Sequence, residues 1–454
     1  MSSLDQYLNF FDEHRKLIDE HAPAALNARR DAARDVLSRC GRLPRRGDEG
    51  FDVVSLEDMF APDYGINVAR VPIGTEAGHA GVHGADIPRA GTVAVTLVND
   101  AFSAPGLKYL PGGVEVMSLA RAAELYPERF ASGTAPADNP LVAFNDLFVQ
   151  DGVYIRVPAR IAMDRPVQIL ATFNASQPML AARRIVIDVE DGARATVIAC
   201  DHPRTAEVDY LSNRVVEARI GRDAALDFYD LEEATRRCSR ASVFAAAQDG
   251  GSRLNVVSLT LDGGVTRNEY YVKHRDTHCH TSLNGLVVAG GAQVVDNATY
   301  ITHDQESCTS EQMFKYALFD SSRGGFDGLV TVTHGARFTD ARQSNRNLLV
   351  SPAARMHAMP RLVIDCDDVK CSHGSATGQL DSDALFYMRS RGIPEAEARM
   401  MLITAFMSEG LDAIAYEPLR QNLRMLLDRR LRGCTDSCES CNIETLHGNP
   451  PVRG

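Results

Sequence analysis

The sequence predicts a mainly β protein in which stacked β-coils form a solenoid between helical ends. Three observations lead there. From about Leu141 to Ala376 the chain runs in short β-prone segments such as "GVYIRV", "VQILATF", "RRIVIDVE", "RVVEARI" and "RLVIDC", separated by Gly, Asp and Asn. Two stretches inside this region are alike, "NGLVVAGGAQVVDNA" at 284 to 298 and "DGLVTVTHGARFTDA" at 327 to 341, and they match if the second gains one residue before its Gly-Ala. No helical crossovers interrupt the segments, whereas a Rossmann-type parallel sheet requires them. A β-sandwich is the rival on pattern alone, and it fits so long a run of echoing turn units less well.

Each element has its own local reason. At the N-terminus Leu4, Tyr7, Leu8 and Phe11 follow the spacing of one helical face. Pro23 stands where a second helix can begin before Leu26, Val36 and Leu37. A looser, glycine-bearing stretch, "VPIGTEAGHAGVHGADIPRAGTVAV", follows. Shorter echoes of the repeat, "DGARATVIA" at 191 to 199, "GRDAALDFYD" at 221 to 230 and "SPAARMHAM" at 351 to 359, place a small residue at a turn, then Ala, then alternating side chains. Helices return at Leu380: Asp381 or Ser382 caps "ALFYMRSR", Gly392 ends it, and Pro394 opens "PEAEARMMLITAFMSEGLDAI". A third helix runs roughly from Glu417 to Arg432 and ends in the basic turn "DRRLR". The organisation read from this is an N-terminal helical and mixed region (1–105), a β-helix core (106–379), a C-terminal helical domain (380–432) and a cysteine-bearing tail (433–454).

Composition narrows the function classes. A net charge of −12 over 454 residues, with no basic cluster, argues against a nucleic-acid partner. No apolar run reaches bilayer length and the start lacks the features of a signal peptide, so the expected compartment is the cytoplasm, with the ten cysteines as reduced thiols. No Gly-Lys dipeptide occurs, which removes the phosphate-cradling P-loop; G-x-G-x-x-G and H-E-x-x-H are absent too. Any nucleotide hydrolysis belongs to a partner.

Candidate chemistry gathers at cysteines and histidines. In "DDVKCSHGSATG" (367 to 378), Cys371 and His373 stand two apart at the end of a strand-like run, so a continuing strand puts both on one face, with Cys366 opposite. A thiolate beside an imidazole suits iron or zinc. Two ligands do not close a site, so a metal here needs donors from elsewhere or from another chain. Taken alone, the pair reads first as a strand-end thiol and a hydrogen-bonded histidine. His274, His278 and His280 share parity, yet a solvated row on a coil face is the simpler reading, and the same holds for His303 and Cys308; His334 reads as a turn residue. In the tail, Cys434, Cys438 and Cys441 form a C-x3-C-x2-C array with His447 nearby, dense enough for zinc or an iron–sulfur cluster. Few apolar residues surround them, so a flexible tail is an equal alternative.

The run "TDARQSNRNLLVSPAARMHAMPRLVIDCDDVKCSHGSATGQLDSDALFYMRSRGI" resembles the SufB/SufD family, the scaffold subunits of SUF iron–sulfur cluster assembly. "DDVKCSHG" followed by "LFYMRSRGI" is nearer to the SufD branch than to SufB. The likeness extends upstream through "FNDLFVQDGVYIRVPARIAMDRPVQI" and more weakly to "LPGGVEVMSLARA", covering about residues 95 to 432. It implies a right-handed parallel β-helix, a SufB partner along that helix and a SufC ATPase on the C-terminal helices. It further implies a nascent cluster, or iron, at the SufB–SufD interface, with His373 and Cys371 as the matching positions. The chain is then a cytoplasmic scaffold and not an enzyme; whether it also forms a homodimer in isolation stays open. Two rivals remain: a self-contained metalloprotein using the tail cysteines, and a β-helix carbohydrate-active enzyme, which would need a carboxylate or basic groove.

Overall fold

Strands organise the chain between Val93 and Gly378 in the computed structural model, which describes residues 2–71, 91–104, 107, 110–131, 133–203 and 208–432. From Val153 onward successive strands alternate between two sheets, one of ten strands and one of nine, so that each strand pairs in parallel with the strand two places along the chain. This is a parallel β-solenoid of about eight turns, with about thirty residues in each coil. The fold class expected from the sequence is the one found. The two similar stretches are strand–corner–strand units half a coil long. One runs from His280–Ala289 in the ten-stranded sheet into Val294–His303 in the nine-stranded sheet, and the other makes the opposite passage, from Arg323–Val332 into Asp340–Leu349.

The solenoid begins with antiparallel pairs: Ala101–Ser103 lies against Val93–Val98, and Glu115–Ser118 against Val153–Val157. It ends on Arg355–Ile364 and Lys370–Gly378, whose outer edges pair with no strand among the described residues.

Helices cover the two broad faces. The N-terminal helices Ser3–Glu20 and Arg30–Cys40, with Pro140–Phe148, lie on the nine-stranded sheet, where Leu4, Tyr7, Phe11, Leu37 and Phe144 meet Leu180, Leu211 and Val243. Helices Glu395–Leu411 and Glu417–Leu431 lie on the ten-stranded sheet, and Ile403, Met407, Leu423 and Leu427 pack on Ile198, Tyr229, Val257 and Leu259. Strands covered on both faces read as nearly continuous apolar runs, such as "VVSLTL" at 256 to 261. The β texture expected from Leu141 therefore starts later. Asn139 accepts hydrogen bonds from the Leu141 and Val142 amides, and Pro140 occupies the first turn, so the apolar run that follows is a buried helix. The helix expected after Pro23 is likewise divided into Ala24–Asn27 and Arg30–Cys40, the latter stopped by Gly41 at φ 66°. No helix of the described residues is long and apolar enough to cross a membrane.

The interior has an apolar part and a polar part. Ile185, Val216, Phe244 and Tyr270 form one inward column of the nine-stranded sheet, each in register with the next. Beside it Arg183, Arg214 and Arg240 point inward at Asp201, Asp230 and Glu232 from the opposite sheet. All six are buried.

Candidate functional site

Cys371 and His373 sit on the final strand, Lys370–Gly378, in register with Ala341 and Gln343 of the coil beneath. Ala341, Gln343, Asn345 and Asn347 are buried while Arg342 and Arg346 are exposed, so the odd positions face the interior. The pleat repeats in the next strand, and Cys371, His373, Ser375 and Thr377 therefore share that inward direction. No further coil stacks above them among the described residues, and His373 is exposed where its counterpart Gln343 is sealed. Two positions along a strand are about 6.6 Å of backbone. Side chains from such neighbours can converge on one ion.

Amides floor this open end. Ser375 donates to Asn345 at 3.1 Å, and Asn347 donates to Thr377 at 3.1 Å. Gln343, directly under His373, has no hydrogen-bond partner for either Nε2 or Oε1 among the described residues. Its carboxamide reaches across to the facing sheet over Gly328, where a Cβ would come within 2.2 Å of Nε2. The carboxamide occupies the space that a side chain at Gly328 would take. A buried amide without partners costs about 1–3 kcal/mol. The rim carries exposed apolar side chains: Phe338, Val363 and Ile364 are 60%, 45% and 41% accessible.

Burial pushes the Cys371 thiol up from its ordinary value, against the backbone hydrogen bond at Ala341 and with help from Asp340 and Cys366. In the free chain it is held as a neutral thiol, and ligation has to displace the proton. Cys366 does not face the opposite side. The strand before it ends at Ile364, the corner restarts the phase, and Cys366 joins Cys371 against one small apolar cluster with Val330, Val332, Ala336 and Ala341. No group of three or more His, Cys, Asp or Glu side chains able to hold a metal occurs among the described residues. Two donors on one strand do not close a tetrahedral site.

The remaining candidates separate. Corners split His274, His278 and His280: His278 is an exposed turn residue at φ 60°, and His274 is buried. His274 is no part of a solvated row. Its Nδ1 lies 3.2 Å from Nδ1 of His303, its Nε2 2.8 Å from the Thr281 hydroxyl, and His303 Nε2 2.9 Å from the Ser310 hydroxyl. Burial lowers both imidazoles, that of His303 to about 4. His303 and Cys308 are sealed as well, and His334 is an exposed turn residue as expected. Cys434, Cys438, Cys441 and His447 lie outside the described residues. Gln343 and its neighbours escaped sequence reasoning, although "RQSNRN" at 342 to 347 puts three amides at alternate positions, the signature of one polar strand face.

A two-sheet parallel solenoid, helix-clad on both broad faces and ending in an open coil that presents a thiol and an imidazole, defines a β-helix protein whose final coil is left uncovered among the described residues. Residues 171–406 match the family "SUF system FeS cluster assembly, SufBD core domain", and residues 1–169 match "SufBD protein N-terminal region". The chain belongs to the SufBD family of SUF iron–sulfur cluster assembly. The second match carries the likeness through the N-terminal region as well. An iron–sulfur cluster assembly SufBD family protein of Synechocystis is 26% identical over 94% of this chain and 96% of its own length. The iron–sulfur cluster assembly protein SufD of Escherichia coli is 35% identical over 39% of this chain and 42% of its own, and SufD of Bacillus subtilis 24% identical over 66% and 69%.

Proposed function

We propose that this chain is a SufD-type scaffold, without catalytic activity of its own, and that a SufB-type partner stacks on its open end. The observation that carries this reading is the uncovered final coil, where His373 and Cys371 face inward above the unpartnered Gln343 amide. A sheet edge left bare normally invites pairing, and the apolar rim of Phe338, Val363 and Ile364 favours a protein neighbour. Iron and sulfur arrive as cargo. His373 and Cys371 donate to the nascent cluster from this side, and the partner provides the donors this chain lacks. A SufC-type ATPase docks on the C-terminal helices, where Phe386, Tyr387 and Met401 stand 72%, 57% and 46% exposed. The absence of a P-loop agrees with that division of labour.

The test is reconstitution with the SufB- and SufC-type proteins of the same cells. His373→Ala is expected to abolish cluster formation, followed by visible absorption, while the three subunits still co-elute; clusters at the wild-type rate would overturn the assignment. Phe386→Asp with Met401→Glu should release the ATPase without altering circular dichroism. Such point changes are the sharper probe, because removing residues 381 to 454 would strip the cover from Ile198, Tyr229, Val257 and Leu259. Purified alone, the chain is expected to turn over no ATP.

A further inference from the structure

At the corner leading from the nine-stranded to the ten-stranded sheet, the residue just before each strand is small and buried: Ala193, Ala224, Ser252, Cys279, Cys308 and Thr339 in successive coils. Only two neighbouring rungs of this stack carry thiols. The Thr309 amide donates to the Cys279 carbonyl at 2.9 Å, so the two cysteines sit one strand spacing apart, about 4.8 Å. That separation falls inside the range a disulfide spans. Their side chains also converge: both thiols aim at the Asp276 carbonyl, Cys279 Sγ at 3.1 Å and Cys308 Sγ at 3.3 Å. Ser252 Oγ donates to Cys279 Sγ at 3.9 Å.

We propose that Cys279 and Cys308 are a modification site, a dithiol that a two-electron oxidant of the peroxide class closes into a disulfide joining two coils. Cys279 attacks one peroxide oxygen, giving a sulfenic acid and, with hydrogen peroxide, a molecule of water. The Cys308 sulfur then attacks the Cys279 sulfur, the S–S bond forms, and the sulfenic oxygen leaves as a second water with the Cys308 proton. Both thiols are oxidised and one peroxide is reduced. The assignment of roles follows the hydrogen bond between the sulfurs, which draws the Cys279 thiol below its ordinary value and pushes Cys308 above it. Both cysteines are sealed, at 1% and 0% exposure, beneath corner turns that expose Arg275, His278, Gln305 and Glu306 and hold His278 and Ser307 in left-handed backbone at φ 60° and 61°, and the oxidant enters as these turns open. Cys200 stands in register with Leu170 and Leu231, and Cys238 with Tyr210, so neither has a thiol beside it on the neighbouring strands.

The chain offers a clean readout, since no Lys or Arg lies between Arg275 and Lys315 and both cysteines fall in one tryptic peptide. After treating the folded full-length protein with hydrogen peroxide, quenching, denaturing and alkylating, that peptide is expected to have lost two hydrogens and to take no alkyl group. Two alkyl groups on it, under conditions that oxidise the exposed Cys40, would overturn the proposal. Cys308→Ser keeps a small side chain at the corner and removes the resolving thiol, so Cys279 should then be trapped by dimedone. A linked wild-type peptide without that adduct would overturn Cys279 as the attacking thiol.

Discussion

At the start of the solenoid Ala101–Ser103 and Glu115–Ser118 close both sheets with antiparallel strands, and the nearby interior holds an ionic cluster whose charges all find partners. At the far end Arg355–Ile364 and Lys370–Gly378 leave both edges bare among the described residues, and the polar interior surfaces as His373 over an unpaired amide. The same backbone repeat is thus finished inward at one end and left unfinished at the other. Buried polar groups are tolerated where the chain itself satisfies them. At the open end the unpaired Gln343 amide lies under a strand edge that no further coil covers among the described residues, where a second molecule can stack.

The contrast is broken most violently at the sealed end. Arg240 is 2% exposed and donates to Asp201 at 3.2 Å, to Asp230 at 3.3 Å and to Asn268 at 2.8 Å. Arg240→Ala would take the cation from the buried Glu232 carboxylate and leave Asp201 and Asp230 to Arg183 and Arg214. Breaking a buried pair on one side costs about 3–5 kcal/mol, so equilibrium unfolding in urea should show a loss of that order. A loss below about 1 kcal/mol would mean that water reaches the cluster.

The histidine ladder gives the next effect. The folded value of His303, about 4, lies below the free imidazole's 6.5, and His274 is lowered in the same direction. The neutral imidazoles therefore stabilise the fold fully above about pH 6.5. As pH falls toward 4 the unfolded chain binds the proton first and stability drops, by about 3 kcal/mol from His303. Unfolding measured across this window should steepen for the natural chain and flatten for His303→Gln; parallel curves would refute the buried-neutral assignment.

These two sites show what a sequence does and does not display. Alternation and small-residue corners betrayed the coils because each strand obeys a local two-residue period. The Asp381 cap was readable for the same local reason, and its carboxylate accepts the Asp383 and Ala384 amides. Cys371 and His373 shared a face as their spacing required. His274 and His303 misled because burial at a corner depends on the coils stacked above and below, about thirty residues away in the chain. Cys366 misled because a corner resets the phase that a strand preserves. The helical run from Pro140 was hidden among β-prone segments, although Asn139 carried the cap signal.

At the open end the sign reverses. Gln343→Leu removes a buried amide that has no partner in the isolated chain and replaces it with an apolar group of similar size. Such exchanges are neutral or stabilising, so the free protein should gain up to about 1 kcal/mol in chemical unfolding. Binding of the SufB-type partner should weaken. A variant that is less stable alone would show that the chain itself satisfies the amide.

The smallest change in stability is expected at His373. Its side chain is exposed, makes none of the hydrogen bonds that tie Ser375 and Thr377 to the coil below, and precedes Gly374, where an added Cβ would meet nothing within 4 Å. His373→Ala should therefore alter the unfolding free energy by no more than about 1 kcal/mol, the scale for positions outside the recognised destabilising mechanisms. On the proposed role of the open end, cluster assembly should nevertheless fail, because the imidazole is replaced by a methyl group that donates nothing to iron. Cys371→Ser divides the remaining question. Cys371 is half-buried against Ala341 and Val369, so loss of assembly with an unchanged unfolding curve makes the thiol a ligand, and retained assembly with a small loss of stability makes it packing. A His373→Ala protein as unstable as Arg240→Ala would erase the distinction between the two ends.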